Sequence, residues 1–310
     1  MTAERRLVTD TPAPAWRPTG LVWTEAGAAL QWLSPTGGVR ASAVDLGARL
    51  SLMVGLDRRC VGLWWDGRRV PCTARAQIDA GAKSGQCDSC AAIARTRSVA
   101  TDTVLDDPRE FCVYLAHHGS VVKAGITATE RGQARLLEQG ALSSMVLSAG
   151  TLLSARRCEA LLTTALGVPQ QVHTARKRGA RLAPGTASAR AAELVAVAEQ
   201  AAGLDWPPGQ TRTATGPVDH TLAYGLPDGG IAAEQEIDPL QTGATINGEV
   251  VCRIGRDLYL STPGGIVLLD TGLLQGWALN RAEDDALLTA RTTPVAKPRA
   301  TTEVQHDVLF

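Results

Sequence analysis

No run of apolar residues in this chain approaches the ~18 that a membrane-spanning helix requires. The first residues, MTAERRLVTDTPAPAWRP, also lack the apolar core of a secretion signal. A cytoplasmic protein with no membrane partner is the expectation. Net charge is missing too: 31 Lys and Arg balance 31 Asp and Glu, which argues against a chain that binds polyanions along its whole surface. No internal repeat or low-complexity block interrupts the sequence. What is present is an ordinary composition, 45% hydrophobic and 20% charged over 310 residues, a length that suits two or three domains.

The neutral total conceals an asymmetry, since residues 204–310 hold 14 acidic and 7 basic side chains and the first 203 hold 17 acidic and 24 basic. Local pattern divides the chain further. Residues 1–18, rich in Pro and Thr, read as a flexible arm. From 19 to 105 short apolar runs such as ALQWL and RLSLMVGL, separated by an SPTGG turn, predict a small antiparallel sheet that leads into a cysteine-rich segment. Residues 106–203 form an α/β unit, in which TERGQARLLEQGAL, TLLSARRCEALLTTALG and TASARAAELVAVAEQAAGL carry helical spacing. In the last of these Thr186 or Ser188 is the N-cap and Gly203 the stop. Residues 204–216 read as a linker, 217–293 as a β module with the rhythm of a small barrel or sandwich, and 294–310 as a tail. The fold class is therefore α+β in three parts, with mostly antiparallel strands.

Four of the seven cysteines, Cys60, Cys72, Cys87 and Cys90, fall within 31 residues, the last two as C-x-x-C. Tetrahedral zinc takes four soft ligands, and a C-x-x-C turn delivers two of them. The eleven residues between Cys60 and Cys72 would have to supply two single-cysteine corners. A redox dithiol is the other chemistry of such a pair, but the preceding DAGAKSGQ offers no strand to lead into it. A four-thiolate zinc site is structural, because it has no open position for substrate. Cys112, Cys158 and Cys252 lie in apolar strand or helix contexts and read as core residues.

The stretch VYLAHHGSVVKAGIT, residues 113–127, is a β-hairpin by pattern, with a polar turn at His117–Ser120 that would leave both histidines solvated. Tyr114 reads equally as a half-buried strand aromatic with its hydroxyl at the rim. Arg131 and Arg135 share one helix face and suit phosphate, and Glu138 is placed to pair with Arg135. Between Arg156 and Arg181 six basic residues, Arg156, Arg157, Arg176, Lys177, Arg178 and Arg181, meet one acid. Such a run suits backbone contacts to nucleic acid, and equally an ordinary solvated face.

CVYLAHHGSVVKAGITATERGQARLLEQGA, followed by SARRCEALL, resembles the GIY-YIG endonuclease superfamily, in the form whose second motif is Lys-x-Gly. The chain as a whole resembles a bacterial family of unknown function that places a cysteine cluster before this unit. The resemblance covers residues 110–203 and implies roles by position. Tyr114 would position or deprotonate the attacking water, and Lys123 would offer charge to phosphate. Gly125 would permit close backbone approach. Arg135, or Arg131 in another register, would contact the scissile phosphate, and Glu159 would hold Mg²⁺ or Mn²⁺. The first motif lacks its glycine, eight residues separate Tyr114 from Lys123, and the second tyrosine is absent; these departures bear on catalysis more than on fold. The resulting expectation is a metal-dependent endonuclease acting on DNA or RNA, with structural zinc. The alternatives are a nucleic-acid-binding protein that does not cut, or a scaffold turned to a small, phosphorylated substrate. Nothing in the sequence specifies an oligomeric state.

Overall fold

A computed structural model describes residues 16–65, 68–96, 107–213 and 215–295. The expected arm and tail fall almost wholly outside these residues. The fold is α+β, and no helix among the described residues is long and apolar enough to cross a membrane.

Strands β1 (Arg17–Thr24), β2 (Gly27–Leu33) and β3 (Val39–Ala43) form an antiparallel meander. The SPTGG turn closes β2 onto β3 through Ser34 N–H to Gly38 O at 2.8 Å, with Gly37 at φ +91°, where a side chain is disfavoured. The next strand, β4 (Arg49–Arg58), leaves this meander. β3 is exposed along its whole length and offers no apolar face, so β4 buries Val54 in the core of the C-terminal sheet instead. A short hairpin, β5 (Leu63–Trp65) and β6 (Arg68–Val70), and helix α1 (Asp88–Thr96) carry the cysteine-rich segment.

The hairpin forms where the sequence places it, as β7 (Phe111–His117) and β8 (Val122–Ala128) in unbroken antiparallel register. The following segment yields only a 3-10 turn, Thr129–Arg131, and one short helix, α2 (Ala134–Glu138), because Gly132 and Gly140 both take positive φ and interrupt the helix. β9 (Ser143–Gly150) returns along the other side of β7. Helix α3 (Leu152–Leu166) starts at Thr151, whose side chain accepts from Ser154 N, and ends at left-handed Gly167. After α4 (Thr174–Ala180), α5 (Ala187–Ala202) begins at the Thr186 cap and stops at Gly203. Phe111, Val113 and Leu115 bury one face of the sheet against Leu152, Ala155, Cys158 and Leu162 of α3 and Leu194 of α5. The segment read as a linker adds β10 (Gln210–Arg212) to the edge of β9, and β11 (Val218–Asp219) pairs with β9 as well.

After α6 (Thr221–Tyr224) come β12 (Gln235–Ile237), β13 (Thr245–Ile254), β14 (Asp257–Thr262), β15 (Gly265–Asp270), β16 (Trp277–Arg281) and β17 (Thr292–Pro294). With β4 they make one seven-stranded sheet in the order β16-β4-β13-β14-β15-β12-β17. Period-2 alternation sorts DLYLST: Leu258 and Leu260 enter the core under β2 and β4, and Tyr259 turns to the opposite face beside Trp23, Leu137 and Tyr224. That second face is where the C-terminal sheet meets α2 of the central unit.

Candidate functional site

Two constellations carry chemistry. In the first, the Sγ atoms of Cys60, Cys72, Cys87 and Cys90 all lie within 4.8 Å of one another, and Cys72 and Cys87 approach to 3.9 Å. Four sulfurs at about 2.3 Å from a tetrahedral ion would be about 3.8 Å apart. A disulfide needs about 2.05 Å, and all four thiols are free. The cluster is four-fold, not a dithiol pair, and could hold a metal ion.

Local backbone geometry builds the corners. Cys60 Sγ accepts the Cys87 N–H at 3.2 Å and faces the Gly62 amide. Gly62 sits at φ +67°, where a Cβ would fall 1.9 Å from the Val70 carbonyl oxygen. Arg75, the only non-glycine at positive φ among the described residues, closes the turn that brings the Ala76 amide to Cys72. Burial opposes ionisation of Cys72, but that amide and the neighbouring thiols bring it down to about 7. Burial and the same thiols hold Cys90 above its ordinary value. Arg58 ties the cluster to β4, its Nη1 donating to the carbonyls of Asp79, Ala80 and Ala82 at 3.0, 3.1 and 2.9 Å.

The second constellation lies on the face of the β7–β8 hairpin opposite α3. Tyr114 stands across from Gly125 in the ladder, and its phenol lies over that glycine: a Cβ at position 125 would fall 2.4 Å from the Tyr114 hydroxyl oxygen. The glycine therefore makes room for the tyrosine and not, as expected, for a bound group. Gln139 Nε2 donates to the Tyr114 hydroxyl at 2.6 Å. Lys123, one residue pair further along the ladder, places its Nζ 5.8 Å from the Tyr114 ring centroid and donates to Gln170 O at 3.2 Å.

Arg135 of α2 and Glu159 of α3 both act electrostatically on the Tyr114 phenol and on Lys123. Tyr114, Lys123, Arg135 and Glu159 thus lie within electrostatic range of one another, Glu159 on the helix that covers the other face of the hairpin. Arg131 is apart, on the 3-10 turn, with its Nη2 donating to both carboxylate oxygens of Glu138 at 2.8 and 2.6 Å. Glu138 also pairs with Arg135, more loosely, at 3.7 Å.

Two further residues join, Lys177 from outside the hairpin and His118 from its turn. Lys177 of α4 donates to Gln139 O at 2.8 Å. His118 is buried and not solvated as its turn position suggested: Nδ1 lies 3.2 Å from Gly140 O, and Nε2 has no hydrogen-bond partner among the described residues. His117 is buried as well, with Nε2 2.9 Å from a Glu193 carboxylate oxygen.

Charge in this site is unbalanced. Burial, with Arg135 alongside, brings Lys123 down to about 8. Burial, with Lys123, Arg181 and Arg135, does the same to Lys177. Burial and the two lysines bring His118 to about 3, so it is neutral. Burial raises Glu159 against the opposing pull of Lys123 and Arg156, and burial raises Tyr114.

The basic run divides. Arg157 and Arg176 are exposed and Arg156 is half-buried. Arg178 and Arg181 are not a free phosphate surface. Arg178 donates to both oxygens of Asp257 at 3.0 and 2.8 Å and to Glu236 at 2.6 Å. Arg181, itself buried, donates to Asp257 at 2.6 Å and to the Tyr259 hydroxyl at 3.2 Å. Asp257 is 2% exposed, and a carboxylate so placed must be paired. Sequence reasoning took His118 for a solvated turn residue and did not single out Gln139, whose place at the end of α2, four residues after Arg135, is the one local signal that could have suggested it.

A family model described as a protein of unknown function (DUF2797) matches residues 50–279. No curated protein and no solved structure matches the chain.

Proposed function

The chain belongs to the DUF2797 family, and from that premise we propose that it is a metal-dependent phosphodiesterase acting on nucleic acid, related in its central unit to GIY-YIG endonucleases. The observation that carries this reading is the cation excess beside Tyr114. Lys123 and Lys177, both largely buried, gather with Arg135 near Glu159, while Glu138 pairs only loosely with Arg135 at 3.7 Å. Such a site is complementary to an anion of more than one charge, and most of all to the pentacovalent phosphorane of phosphodiester hydrolysis. In that reaction a water oxygen bonds to phosphorus, the bond to the leaving sugar oxygen breaks, and that oxygen takes up a proton. Arg135 and the lysines offset the developing charge on the non-bridging oxygens. Tyr114, held by Gln139, orients the water.

Glu159 fits a divalent ion of the Mg²⁺ or Mn²⁺ type, which retains several waters and takes one or two protein carboxylates. When bound there it would supply Lewis-acid stabilisation of the phosphate. The four cysteines are assigned to structural Zn²⁺, on the match of sulfur spacing to a tetrahedral site.

A second reading, binding without cleavage, is favoured by one observation: Tyr114 is 1% exposed and burial holds its phenol protonated, so it is no base as it stands. Labelled single- and double-stranded DNA and RNA incubated with the protein and Mg²⁺ or Mn²⁺ decide between them. Cleavage that Glu159→Ala abolishes supports the phosphodiesterase. Binding that weakens with salt, with no cleavage by the wild type, supports the second reading.

A further inference from the structure

The cleft beside Tyr114 is closed in this structure: Lys123 is 8% exposed and His118 1%, so a polymer phosphate does not reach either. Residues 169–177, the loop after α3 and the first part of α4, are tied across it. None of these residues is buried. Val168 before them belongs to the core of the central unit, and Arg178 and Arg181 after them are bound to Asp257. At the near end Gly167 is left-handed, with open space where a side chain would stand and the backbone freedom of glycine. α4 begins at His173 without a side-chain cap, so its first amides lack the partner that fixes a helix start. The segment is therefore pinned at both ends with little apolar burial between, the setting in which local opening is easiest.

Four hydrogen bonds tie it to the hairpin and to the end of α2. Ala124 N–H donates to Pro169 O at 3.0 Å, Lys123 Nζ to Gln170 O at 3.2 Å, Arg176 Nη2 to Ser120 Oγ at 3.4 Å and Lys177 Nζ to Gln139 O at 2.8 Å. Two of the four are made by the lysines that the phosphodiesterase reading gives to phosphate. A carbonyl is the weaker partner for an ammonium group, since a hydrogen bond to an ionised oxygen is roughly twice as strong as one between neutral groups. Burial penalises the charge on both lysines, and a full negative charge relieves that penalty further than a carbonyl dipole does.

We propose that residues 169–177 are a lid on the cleft, and that an incoming phosphate group releases it by taking Lys123 and Lys177 from the carbonyls of Gln170 and Gln139. The ligand and the lid compete for the same two ammonium groups, so anion binding and opening are one equilibrium. A neutral ligand offers the lysines nothing better than a carbonyl and leaves the lid shut. Opening occurs at the catalytic end of the cleft, because Gln139, which accepts from Lys177 through its carbonyl, also holds the Tyr114 hydroxyl through its side chain. The buried ion pairs of Arg178 and Arg181 stay made and form the far hinge. The inference rests on the phosphate reading of the cleft, but it requires only that an anion binds there, not that a bond is cut.

The test is amide hydrogen exchange of the full chain, read by NMR at constant ionic strength with no Mg²⁺ or Mn²⁺ added, during titration with inorganic phosphate and separately with oligothymidylate. Two amides report on the lid: Ala124 on the edge strand β8, bonded to Pro169 O, and Lys177, bonded to His173 O. At saturating anion both are expected to exchange about tenfold faster or more, while amides of β7 keep their rates. Lys177→Met, which lacks one charged tether, should exchange Ala124 about tenfold faster with no anion present and respond less to phosphate. Unchanged β7 protection establishes that the variant is folded; should it fail that control, Lys123→Met, which removes the Gln170 tether, carries the test with the same expectation. Bound anion that leaves the Ala124 and Lys177 rates unchanged, or slows them, overturns the lid and leaves the phosphodiesterase standing. So does exchange of both amides only in step with β7. Wild-type protein that binds neither phosphate nor oligothymidylate overturns both readings together. Release by anion in a protein that cleaves no nucleic acid supports the lid and removes the phosphodiesterase.

Discussion

At position 125 a single methyl group is enough to displace a phenol. The Tyr114 hydroxyl occupies the space a side chain would need, in a strand whose cross-strand packing is otherwise complete. Gly125→Ala is therefore expected to cost about 1–3 kcal/mol of stability in urea denaturation, as overpacking does, and to break the Gln139 hydrogen bond to the phenol. The lysines give a second residue-level outcome. Lys123 and Lys177 lose their protons near pH 8 in the folded protein, against 10.5 as the ordinary value. Between those values the unfolded chain binds more protons, so stability rises with pH. Anion affinity runs the opposite way, falling as pH passes through 8. Oligonucleotide binding measured from pH 7 to 9 should weaken while urea midpoints increase, and Lys123→Met should flatten the part of both trends that this lysine carries. Positions 114, 123, 125, 135 and 159 were singled out in the sequence by the resemblance their motifs carry. What Gly125 makes room for was not, since it depends on a rotamer across the ladder.

Among the elements, α5 was readable to its caps because Thr186, the apolar stripe and Gly203 are all local signals. α4 was readable only as basic. Its partner, Asp257, lies 79 residues from Arg178 and 76 from Arg181, and no local pattern reports a pairing over that distance. The consequence is that α4 is a clamp: Arg178 and Arg181 bind it to β14, and Lys177, just before them, reaches Gln139 in the cleft. Asp257→Asn leaves the buried Arg181 with no carboxylate partner, while Arg178 keeps Glu236, and should cost about 3–5 kcal/mol, seen as a lower urea midpoint. Asp257 itself is held below its ordinary value: burial works against ionisation, but Arg178 and Arg181 outweigh it. Its contribution to stability is thus present above about pH 4 and lost as pH falls further, so the wild type should lose stability on acidification more steeply than the Asn variant. β4 shows the same limit of sequence reading. Its alternation identified a strand, but the choice between β3 and β13 was decided by which neighbour offered a buried face.

For the whole molecule, the matched span of residues 50–279 begins in β4 and ends in β16, which are hydrogen-bonded neighbours in the seven-stranded sheet. The cysteine cluster and the cleft are thus both carried between two strands that lie side by side. The cluster hangs from the end of β4 through Arg58 and Cys60, and among the described residues its own core holds Cys60, Leu63, Cys72, Ile78 and Cys90 as buried apolar residues. Three of those five are the thiols themselves. A segment with so little apolar burial does not offset its conformational entropy without a cross-link, so an ion held by the four thiols would supply most of its stability. The seven-stranded sheet draws instead on the large cluster from Leu30 to Ala290 and does not depend on the thiols. Removing the metal with a chelator, or replacing Cys90 with Ser, should therefore unfold residues 60–96 alone. Hydrogen exchange should show amides of that segment losing protection while those of β13 and β14 keep theirs. Loss of protection throughout the seven-stranded sheet at the same chelator concentration would mean that the cluster holds the molecule together and not merely its own loop.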